Sequence, residues 1–371
     1  MATIPDPVHD RSTAHSIIKW YAKTQNEDPR PHLGCSEIGK ECNRALWFGF
    51  RWATRKKFEG RILRLFKRGN REEPLFMEEL RAIGAEVYDR DPDTKQQHRF
   101  YGYRGHFGGS CDAIGRKFPE GPKSWAIVEF KTHGEKSFNE LSKNGVERAK
   151  YEHFVQMQMY MGFSDLDRAL YLAVNKNTDE LHSEWIHFDK ETFERMNERA
   201  AMIIEAQEPP AGISNDPAFY KCKFCDHQKV CHDDIAPAKS CRTCVHVTLA
   251  DEGKWICEHY KRELSTEEQI DGCRDHLYLP PLIKYAEPLD AGKDWIKYRH
   301  KETGLVFANI THGADRSEEN MTNDIVACFD SDELAVAHSK IVGDNKVAEL
   351  LSQIEGARIV ASEITDDDIP F

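Results

Sequence analysis

The sequence lacks the features that would place this protein in a membrane or outside the cell. It contains no apolar run approaching the roughly 20 residues that a membrane-spanning helix needs. Its N-terminus shows no basic segment followed by an apolar one, so no secretory signal is visible. With 40% hydrophobic and 31% charged residues, the 371-residue chain fits a globular protein of one to three domains. We therefore expect a cytoplasmic protein with no membrane partner.

Positive charge is also scarce overall. The formal net charge of −12 disfavours diffuse binding to polyanions but leaves room for a local basic groove. Residues 40–71 are the exception, because lysines and arginines recur there with Trp47, Trp52 and Phe58 between them. A phosphate backbone and stacked bases require such a basic, aromatic stretch. Alternatively, residues 40–71 form the solvated face of a helix.

The cysteines are numerous, and for a cytosolic chain they indicate metal or cluster ligands more than disulfides. There are eleven, and seven of them form two groups. The first group is Cys222, Cys225 and Cys231, which has no fourth thiol nearby and therefore needs a distant ligand. The second group has the spacing of a small zinc ribbon, with His246, His259 and His276 as possible substitute ligands. Its members are Cys241, Cys244, Cys257 and Cys273.

An apolar stretch at residues 125–131 carries two charges. It is predicted to be a buried strand on which Glu129 and Lys131 point to the same face. Turn-forming residues at 118–123 predict a hairpin with an upstream strand, Gly108–Ile114, which would bring Asp112 beside Glu129. Two carboxylates and a lysine suit Mg²⁺ or Mn²⁺, a polarised phosphate and an activated water. An ordinary ion pair on a half-exposed strand is the alternative.

The rest of the pattern predicts an α/β sandwich followed by a small α+β module. The predicted helices are 67–83, 146–163 and 190–207, and the predicted strands are 98–104, 168–174, 181–188 and a hairpin within 295–310. Gln156 and Tyr160 lie four residues apart and so share one helical face. Alternatively, the methionines of this helix fill the core while Gln156 and Tyr160 face solvent.

These residues together resemble the PD-(D/E)xK nuclease superfamily, specifically its RecB-like branch with a four-cysteine iron–sulfur cluster. Residues 34–231 carry the resemblance. Asp112 and the Glu129–Lys131 pair match the signature acids and lysine of that family. Gln156 and Tyr160 match its QxxxY element. Cys42 matches its single upstream cysteine, so the resemblance implies a 4Fe–4S cluster held by Cys42 together with the downstream trio.

The resemblance implies a restriction-endonuclease-like core, a mixed sheet flanked by helices, with a cysteine-rich metal module attached. The predicted domains are an N-terminal helical segment at 1–33, a RecB-like nuclease domain at 34–235, a four-cysteine zinc-ribbon-like module at 236–283, a small α+β domain at 284–357 and an acidic tail at 358–371.

One position departs from the family. Where the RecB-like branch usually has a histidine, this chain has Glu73, which is similar to phage recombination exonucleases of the lambda type. The implied catalytic set is therefore Asp112, Glu129 and Glu73 on Mg²⁺ or Mn²⁺, with Lys131 acting on the water or the phosphate. Gln156 and Tyr160 would orient the lysine or the scissile strand. The implied contacts with the DNA backbone are Arg44, Arg68 and Arg71.

The last residues resemble the acidic tip of bacterial single-stranded DNA-binding proteins. The match covers Asp368, Ile369, Pro370 and Phe371 within an Asp-Asp-Asp-Ile-Pro-Phe sequence. It implies a protein partner that normally binds that tip. An acidic tail without a partner is the alternative.

We therefore expect a phage-encoded DNA exonuclease of recombination, repair or DNA degradation. The alternative is a catalytically silent DNA-binding adaptor that keeps the nuclease fold. The intact acids and lysine favour the enzyme.

Overall fold

The computed structural model of the chain describes residues 12–24, 29–55, 58–233, 235–314, 325 and 327–335. Its α-helices are α1 (Thr13–Lys23), α2 (Asn43–Phe50), α3 (Gly60–Ala82), α4 (Glu135–Ala149), α5 (Tyr151–Ser164), α6 (Lys190–Glu205), α7 (Tyr220–Lys223), α8 (Gln228–His232) and α9 (Thr266–Asp271). None of these described helices has the length and apolar character needed to cross a membrane.

The β-strands lie in four sheets. They are β1 (Leu33–Gly34), β2 (Glu86–Tyr88), β3 (Arg99–Gly102), β4 (Phe107–Ser110), β5 (Ala113–Arg116), β6 (Ala126–His133), β7 (Arg168–Asn175), β8 (Leu181–His187), β9 (Val247–Leu249), β10 (Trp255–Cys257), β11 (Arg262–Glu263), β12 (Ala286–Ala291), β13 (Trp295–His300), β14 (Val306–Ile310) and β15 (Ala327–Phe329).

The chain divides into two compact units. Unit 1 comprises Met1–Glu41, Lys56–Glu205 and Asp251–Gly253, and unit 2 comprises Cys42–Arg55, Ala206–Ala250 and Lys254–Phe371, each within the described ranges given above. The five domains expected from the sequence stay predictions.

Unit 1 is built on a five-stranded mixed sheet with the order β2-β5-β6-β7-β8. Strands β6 and β7 run parallel, and the other neighbours are antiparallel. Residues 169–175 of β7 are all buried, as expected for a central strand whose two faces are both covered. The predicted fold class, a mixed sheet flanked by helices, is confirmed. The predicted hairpins are confirmed as well, because β5 pairs with β6 and β7 pairs with β8.

The two faces of β6 have different neighbours. Val128 and Phe130 belong to the apolar core that α3 covers with Phe76, Met77 and Leu80. The rings of Phe76 and Phe130 are stacked with their centroids 5.0 Å apart. Glu129 points to the opposite face, where α5 lies. The alternation of a strand thus places Val128 and Phe130 on one face of β6 and Glu129 on the other.

The strand predicted through Gly108–Ile114 is wrong. Strand β4 ends at Ser110 and pairs with β1 and β3 in a separate three-stranded sheet, while β5 begins at Ala113 in the five-stranded sheet. Asp112 therefore lies in the break between two sheets. Its carboxylate accepts a hydrogen bond from the backbone N–H of Phe130 at 2.7 Å, which takes the place of strand pairing there.

The predicted helix 146–163 is two helices, α4 and α5, separated at Lys150 (φ −140°, ψ 55°). Within α4, Gly145 has φ +73°, a conformation that glycine adopts without strain. The side chain of Glu184 accepts hydrogen bonds from the N–H of Val146 at 2.9 and 3.1 Å. This contact comes from a distant strand, so the local sequence does not reveal it.

Unit 2 contains two sheets, β11-β10-β9 and β12-β13-β14-β15. The hairpin predicted within 295–310 is confirmed by the antiparallel pairing of β13 with β14. Arg242 is 1% exposed and lies against aromatic rings, 3.6 Å from the centroid of Trp52 and 4.6 Å from that of Trp255. It also donates a hydrogen bond to the carbonyl of Phe50 at 3.0 Å. Packed rings and hydrogen bonds together compensate for burying this charge.

We predict that Phe76→Ala lowers the free energy of unfolding by about 3 kcal/mol, because it leaves a cavity against Phe130 in the core of unit 1. Urea unfolding followed by tryptophan fluorescence measures the change. The matched control is Leu75→Ala, which is 47% exposed on the same helix turn and should change stability by less than about 0.5 kcal/mol. Equal losses in both variants would contradict the packing described here.

Candidate active site

Glu129 and Lys131 project from the same face of β6, as the sequence predicts. The ammonium of Lys131 donates a hydrogen bond to Oε1 of Glu129. Glu129 is only 1% exposed, so this pair is not an ion pair on a half-exposed strand. Oε2 of Glu129 is buried and has no hydrogen-bond partner among the described residues. A buried carboxylate oxygen without a donor is costly unless a cation or another ligand binds it.

Two further carboxylates, Asp112 and Glu73, lie near enough to Lys131, the partner of Glu129, that their charges raise its pKa. Asp112 is held by the Phe130 N–H, as described above, which confirms its predicted position beside the Glu129–Lys131 strand. Glu73 on α3 is an exposed residue whose pKa is raised, first by the partial burial of its carboxyl group and then by the charge of Asp112, while the charge of Lys131 lowers it. The structure thus brings together Glu73, Asp112, Glu129 and Lys131 from a helix, an inter-sheet break and a strand.

Burial raises the pKa of all three acids, and the charge of Asp112 raises the pKa of Glu73 and Glu129 as well. Burial, and then the charge of Asp112, raises the pKa of Glu129 to about 8. The pKa of Asp112 is also raised by burial, against the opposing effects of Lys131 and of the Phe130 N–H. Burial works against the charged form of Lys131, yet Glu129 and Asp112 prevail and raise its pKa. The acids outnumber the single lysine, which favours an additional cation.

Gln156 and Tyr160 lie on α5 over the same face of the sheet. Nε2 of Gln156 donates to Oε1 of Glu129 at 2.8 Å and to the hydroxyl of Tyr160 at 3.0 Å. Gln156 is 6% exposed and Tyr160 is 2% exposed. The alternative in which both residues face solvent is therefore wrong. Both side chains form the wall behind the Glu129 carboxylate.

The donor set fits a hard divalent cation. Three carboxylates, one of which has a buried and unpaired oxygen, are the ligand type that Mg²⁺ and Mn²⁺ prefer. Among the residues that the structure describes, no group of three or more His, Cys, Asp or Glu side chains is placed so that it could hold a metal ion. The assignment to metal therefore rests on the chemistry of the acids and on the unpaired Oε2 of Glu129.

The sequence reasoning missed a histidine network beside the catalytic candidates. The Tyr171 hydroxyl lies 2.8 Å from Nε2 of His133 and 2.9 Å from Nδ1 of His153. Burial, with nearby lysine charges, lowers the pKa of His133 to about 4 and that of His153 to about 3, so both rings are neutral at pH 7. The period of two on β6, which places His133 on the same face as Lys131, is the signal that would have revealed it.

The candidate iron–sulfur ligands line a common cavity in unit 2, namely Cys42, Cys222, Cys225 and Cys231. Burial, and then the proximity of Cys231 and Cys42, raises the pKa of the Cys222 thiol. Nη1 of Arg44 lies 3.6 Å from Sγ of Cys231. The grouping of the distant Cys42 with the trio agrees with the resemblance, and the identity of any bound group stays a prediction.

The candidate zinc ligands also line one cavity. These are Cys241, Cys244, Cys257 and Cys273. The pKa of Cys244 is raised to about 11, first by burial, and the charges of Cys273 and Cys257 raise it as well. His246 and His259 border the same cavity with their ring centroids 5.0 Å apart. Four thiols around one cavity suit a soft cation such as Zn²⁺.

The predicted DNA contacts have different surroundings. Arg44 is half-buried and donates a hydrogen bond to the carbonyl of Pro210 at 3.1 Å. Arg68 and Arg71 are exposed on α3, where Arg68 donates to the carbonyl of Lys176 at 2.9 Å. The prediction that Trp47 and Trp52 stack on bases is wrong, because the two side chains are 0% and 5% exposed. The predicted partner tip lies outside the described residues, and its residues are Asp368, Ile369, Pro370 and Phe371.

The wall behind Glu129 is closely packed. A Cβ atom on Gly109 would lie 2.8 Å from the hydroxyl of Tyr160 and 3.3 Å from Cβ of Cys35. We predict that Gly109→Ala costs about 1–3 kcal/mol of stability, because the new methyl group displaces Tyr160. The measurement is a double-mutant cycle with Tyr160→Phe, which removes the obstructing hydroxyl. In the Tyr160→Phe background the cost of Gly109→Ala should be at least about 0.5 kcal/mol smaller, and strict additivity would contradict the contact.

No protein-family model and no curated protein sequence matches this chain. Solved structures that resemble it include the alkaline exonuclease LHK-Exo from Laribacter hongkongensis, with 15% identity, a TM-score of 0.31, and coverage of 50% of this chain and 89% of that one. Another is a phage-related exonuclease from Haemophilus somnus 129PT, with 19% identity, a TM-score of 0.27, and coverage of 37% and 68%. Because both TM-scores are low, the fold described above rests on the strand order and packing of this chain.

Proposed function

We propose that this protein is a metal-dependent deoxyribonuclease, an exonuclease that hydrolyses phosphodiester bonds in DNA during recombination, repair or degradation. The observation that carries this proposal is the convergence of three carboxylates on one lysine, with a buried and unpaired oxygen on Glu129. Asp112, Glu129 and Glu73 would hold Mg²⁺ or Mn²⁺. The metal would supply Lewis acidity toward the phosphate and its attacking water.

Lys131 is the positively charged side chain beside the acids, in addition to the proposed metal. Its pKa is raised by Glu129 and Asp112 against the effect of burial, so the ammonium stays protonated at neutral pH. A fixed cation beside the acids stabilises the negative charge that develops on a phosphate during hydrolysis. Gln156 keeps the Glu129 carboxylate in one orientation, and Tyr160 in turn accepts a hydrogen bond from Gln156. Both act as positioning residues.

The surface of α3 supports a polyanionic substrate. The helix that carries Glu73 also presents a set of cations along its length, which are Arg61, Arg64, Lys67, Arg68 and Arg71. Contacts between such side chains and phosphates account for much of the affinity of proteins for nucleic acids. The choice of DNA over RNA, and of exonuclease over endonuclease action, rests on the resemblance to RecB-like nucleases.

We predict that Lys131→Ala slows cleavage of end-labelled linear DNA in Mn²⁺ or Mg²⁺ by about 10²–10³-fold, because one preorganised charge at the reacting phosphate is lost. Binding of DNA in EDTA should change by less than about threefold, since one charge among many phosphate contacts is removed. The control is Lys143→Ala, an exposed lysine on α4, which should keep the wild-type rate.

Full hydrolysis by Lys131→Ala would contradict the assignment of this lysine. Absence of cleavage by the wild-type protein on single-stranded DNA, duplex DNA and RNA would favour the DNA-binding adaptor instead. The ladder of products from each labelled end gives the strand polarity.

We further propose that Cys42, Cys222, Cys225 and Cys231 hold a 4Fe–4S cluster. The second thiol group, Cys241, Cys244, Cys257 and Cys273, would hold Zn²⁺. The support is that each set of thiols lines a single cavity within unit 2. Their role would be structural, because a metal joins segments that are far apart in the sequence.

We predict that anaerobically purified protein is brown and contains iron and acid-labile sulfide, and that Cys225→Ser loses most of both. Elemental analysis and visible absorption measure the loss. Cys328→Ala serves as the control, because Cys328 borders neither thiol cavity and should leave the iron content unchanged. Zinc in place of iron at the first group would overturn the cluster assignment and leave the nuclease proposal intact.

A further inference from the structure

Arg44 is held beside one of the candidate cluster thiols by contacts within unit 2. It lies in the first turn of α2, two residues after Cys42, the N-cap of that helix. Its Nε donates a hydrogen bond to the carbonyl of Pro210 at 3.1 Å, and its Nη1 donates to Sγ of Cys231 at 3.6 Å. The backbone at Gly212 packs against the same guanidinium, because a Cβ atom there would lie 3.1 Å from Cζ and 3.2 Å from Nη1. These contacts fix a positive charge next to the sulfur.

The contact with Cys231 is directed at the sulfur atom itself. The sulfur of a neutral thiol is only a weak hydrogen-bond acceptor. A thiolate, which is the form that binds metals, is a better partner for a guanidinium. Cys231 is also held through its backbone, since Nζ of Lys284 donates to its carbonyl and its own N–H donates to the carbonyl of His227 at 2.8 Å. The arrangement is therefore most favourable when this fixed sulfur carries negative charge.

Arg44 makes no ion pair with a carboxylate among the described residues. It is half-buried, and its hydrogen bonds go to the Pro210 carbonyl and the Cys231 sulfur. None of the described residues that line the cavity of the candidate iron–sulfur ligands is Asp or Glu. A charge that is partly removed from water needs a compensating charge or hydrogen bonds. Four thiolates at this cavity would supply the negative charge.

We propose that Arg44 is a positioning residue for the bound 4Fe–4S cluster, which its guanidinium stabilises through the sulfur of Cys231. Four thiolates give such a cluster a net negative charge that increases on reduction. Cations and hydrogen bonds at the sulfurs therefore hold the cluster and raise its reduction potential. A contact between Arg44 and a DNA phosphate is disfavoured, because Nε and Nη1 already have acceptors. The inference rests on the proposed cluster and does not involve the nuclease residues.

The test follows the cluster in anaerobically purified, full-length protein. We expect Arg44→Gln to release iron to a ferrous-iron chelator at least about tenfold faster than wild type, because losing a residue that supports a metal ligand costs about 10–100-fold in affinity. A dithionite titration monitored by electron paramagnetic resonance should show a midpoint potential lower by about 59 mV, which corresponds to a tenfold change for one electron. Arg44→Lys keeps the charge, so both of its values should lie closer to wild type.

The matched control removes an equal charge from the same region. Lys229 is exposed on α8, two residues before Cys231, and does not line the cavity of the candidate iron–sulfur ligands. Because solvent screens an exposed charge, Lys229→Gln should leave the rate of iron release and the midpoint potential unchanged. Unchanged far-UV circular dichroism in Arg44→Gln shows that its effects do not come from misfolding.

The outcomes separate this inference from the proposals on which it rests. If Arg44→Gln keeps the iron-release rate and the potential of wild type, the inference is wrong and the cluster stands. It is also wrong if Arg44→Lys behaves like Arg44→Gln, because the charge would then not be responsible. Weaker binding of labelled DNA by Arg44→Gln, with an unchanged potential, would instead make Arg44 a DNA contact.

Iron content and DNA cleavage decide between the two proposed functions of the chain. If the wild-type protein contains no iron, the cluster assignment fails and the role of Arg44 fails with it. Cleavage of DNA by the same preparation, lost in Lys131→Ala, would still leave the nuclease proposal intact.

Discussion

Burial of the Glu129 carboxylate is the constraint on which the arrangement of unit 1 depends. The side chain is 1% exposed on a central strand, where an uncompensated charge would cost several kcal/mol. Oε1 receives both the Lys131 ammonium and the Gln156 amide, whereas Oε2 has no partner among the described residues. The surrounding elements are therefore arranged to supply donors to one half of this carboxylate and to leave the other half available.

The other elements of the site follow from that arrangement. Helix α5 must lie close enough for Gln156 to reach Glu129 at 2.8 Å, and Tyr160 fixes the amide from behind. On the opposite face of β6, the stacking of Phe76 on Phe130 holds α3 in place, and with it Glu73. The apolar contact on one face of the strand thus holds the helix that carries Glu73. The same eight-residue strand carries both a part of the apolar core and the candidate residues Glu129 and Lys131.

The sequence predicted the parts of the site that depend on local periodicity. Glu129 and Lys131 share a face because they are two apart on a strand, and Gln156 and Tyr160 share one because they are four apart on a helix. The break at Asp112 was not predictable, because it arises when β4 pairs with the distant β1. The burial of Trp47 and Trp52 was missed for a related reason. Aromatic residues among cations give the same pattern whether they contact DNA or a buried arginine such as Arg242.

Burial disfavours the charged form of the thiols in unit 2, as it does for the carboxylates in unit 1. Burial raises the pKa of Glu129 to about 8 and that of Cys244 to about 11, and neighbouring acidic groups of the same kind raise both further. A cation reverses this effect, because it stabilises the deprotonated form of every ligand at once. Hard oxygens collected in unit 1 and soft sulfurs collected in unit 2 would then select different metals from the same solution. The protein would keep a catalytic cation and its structural metals apart by ligand chemistry alone.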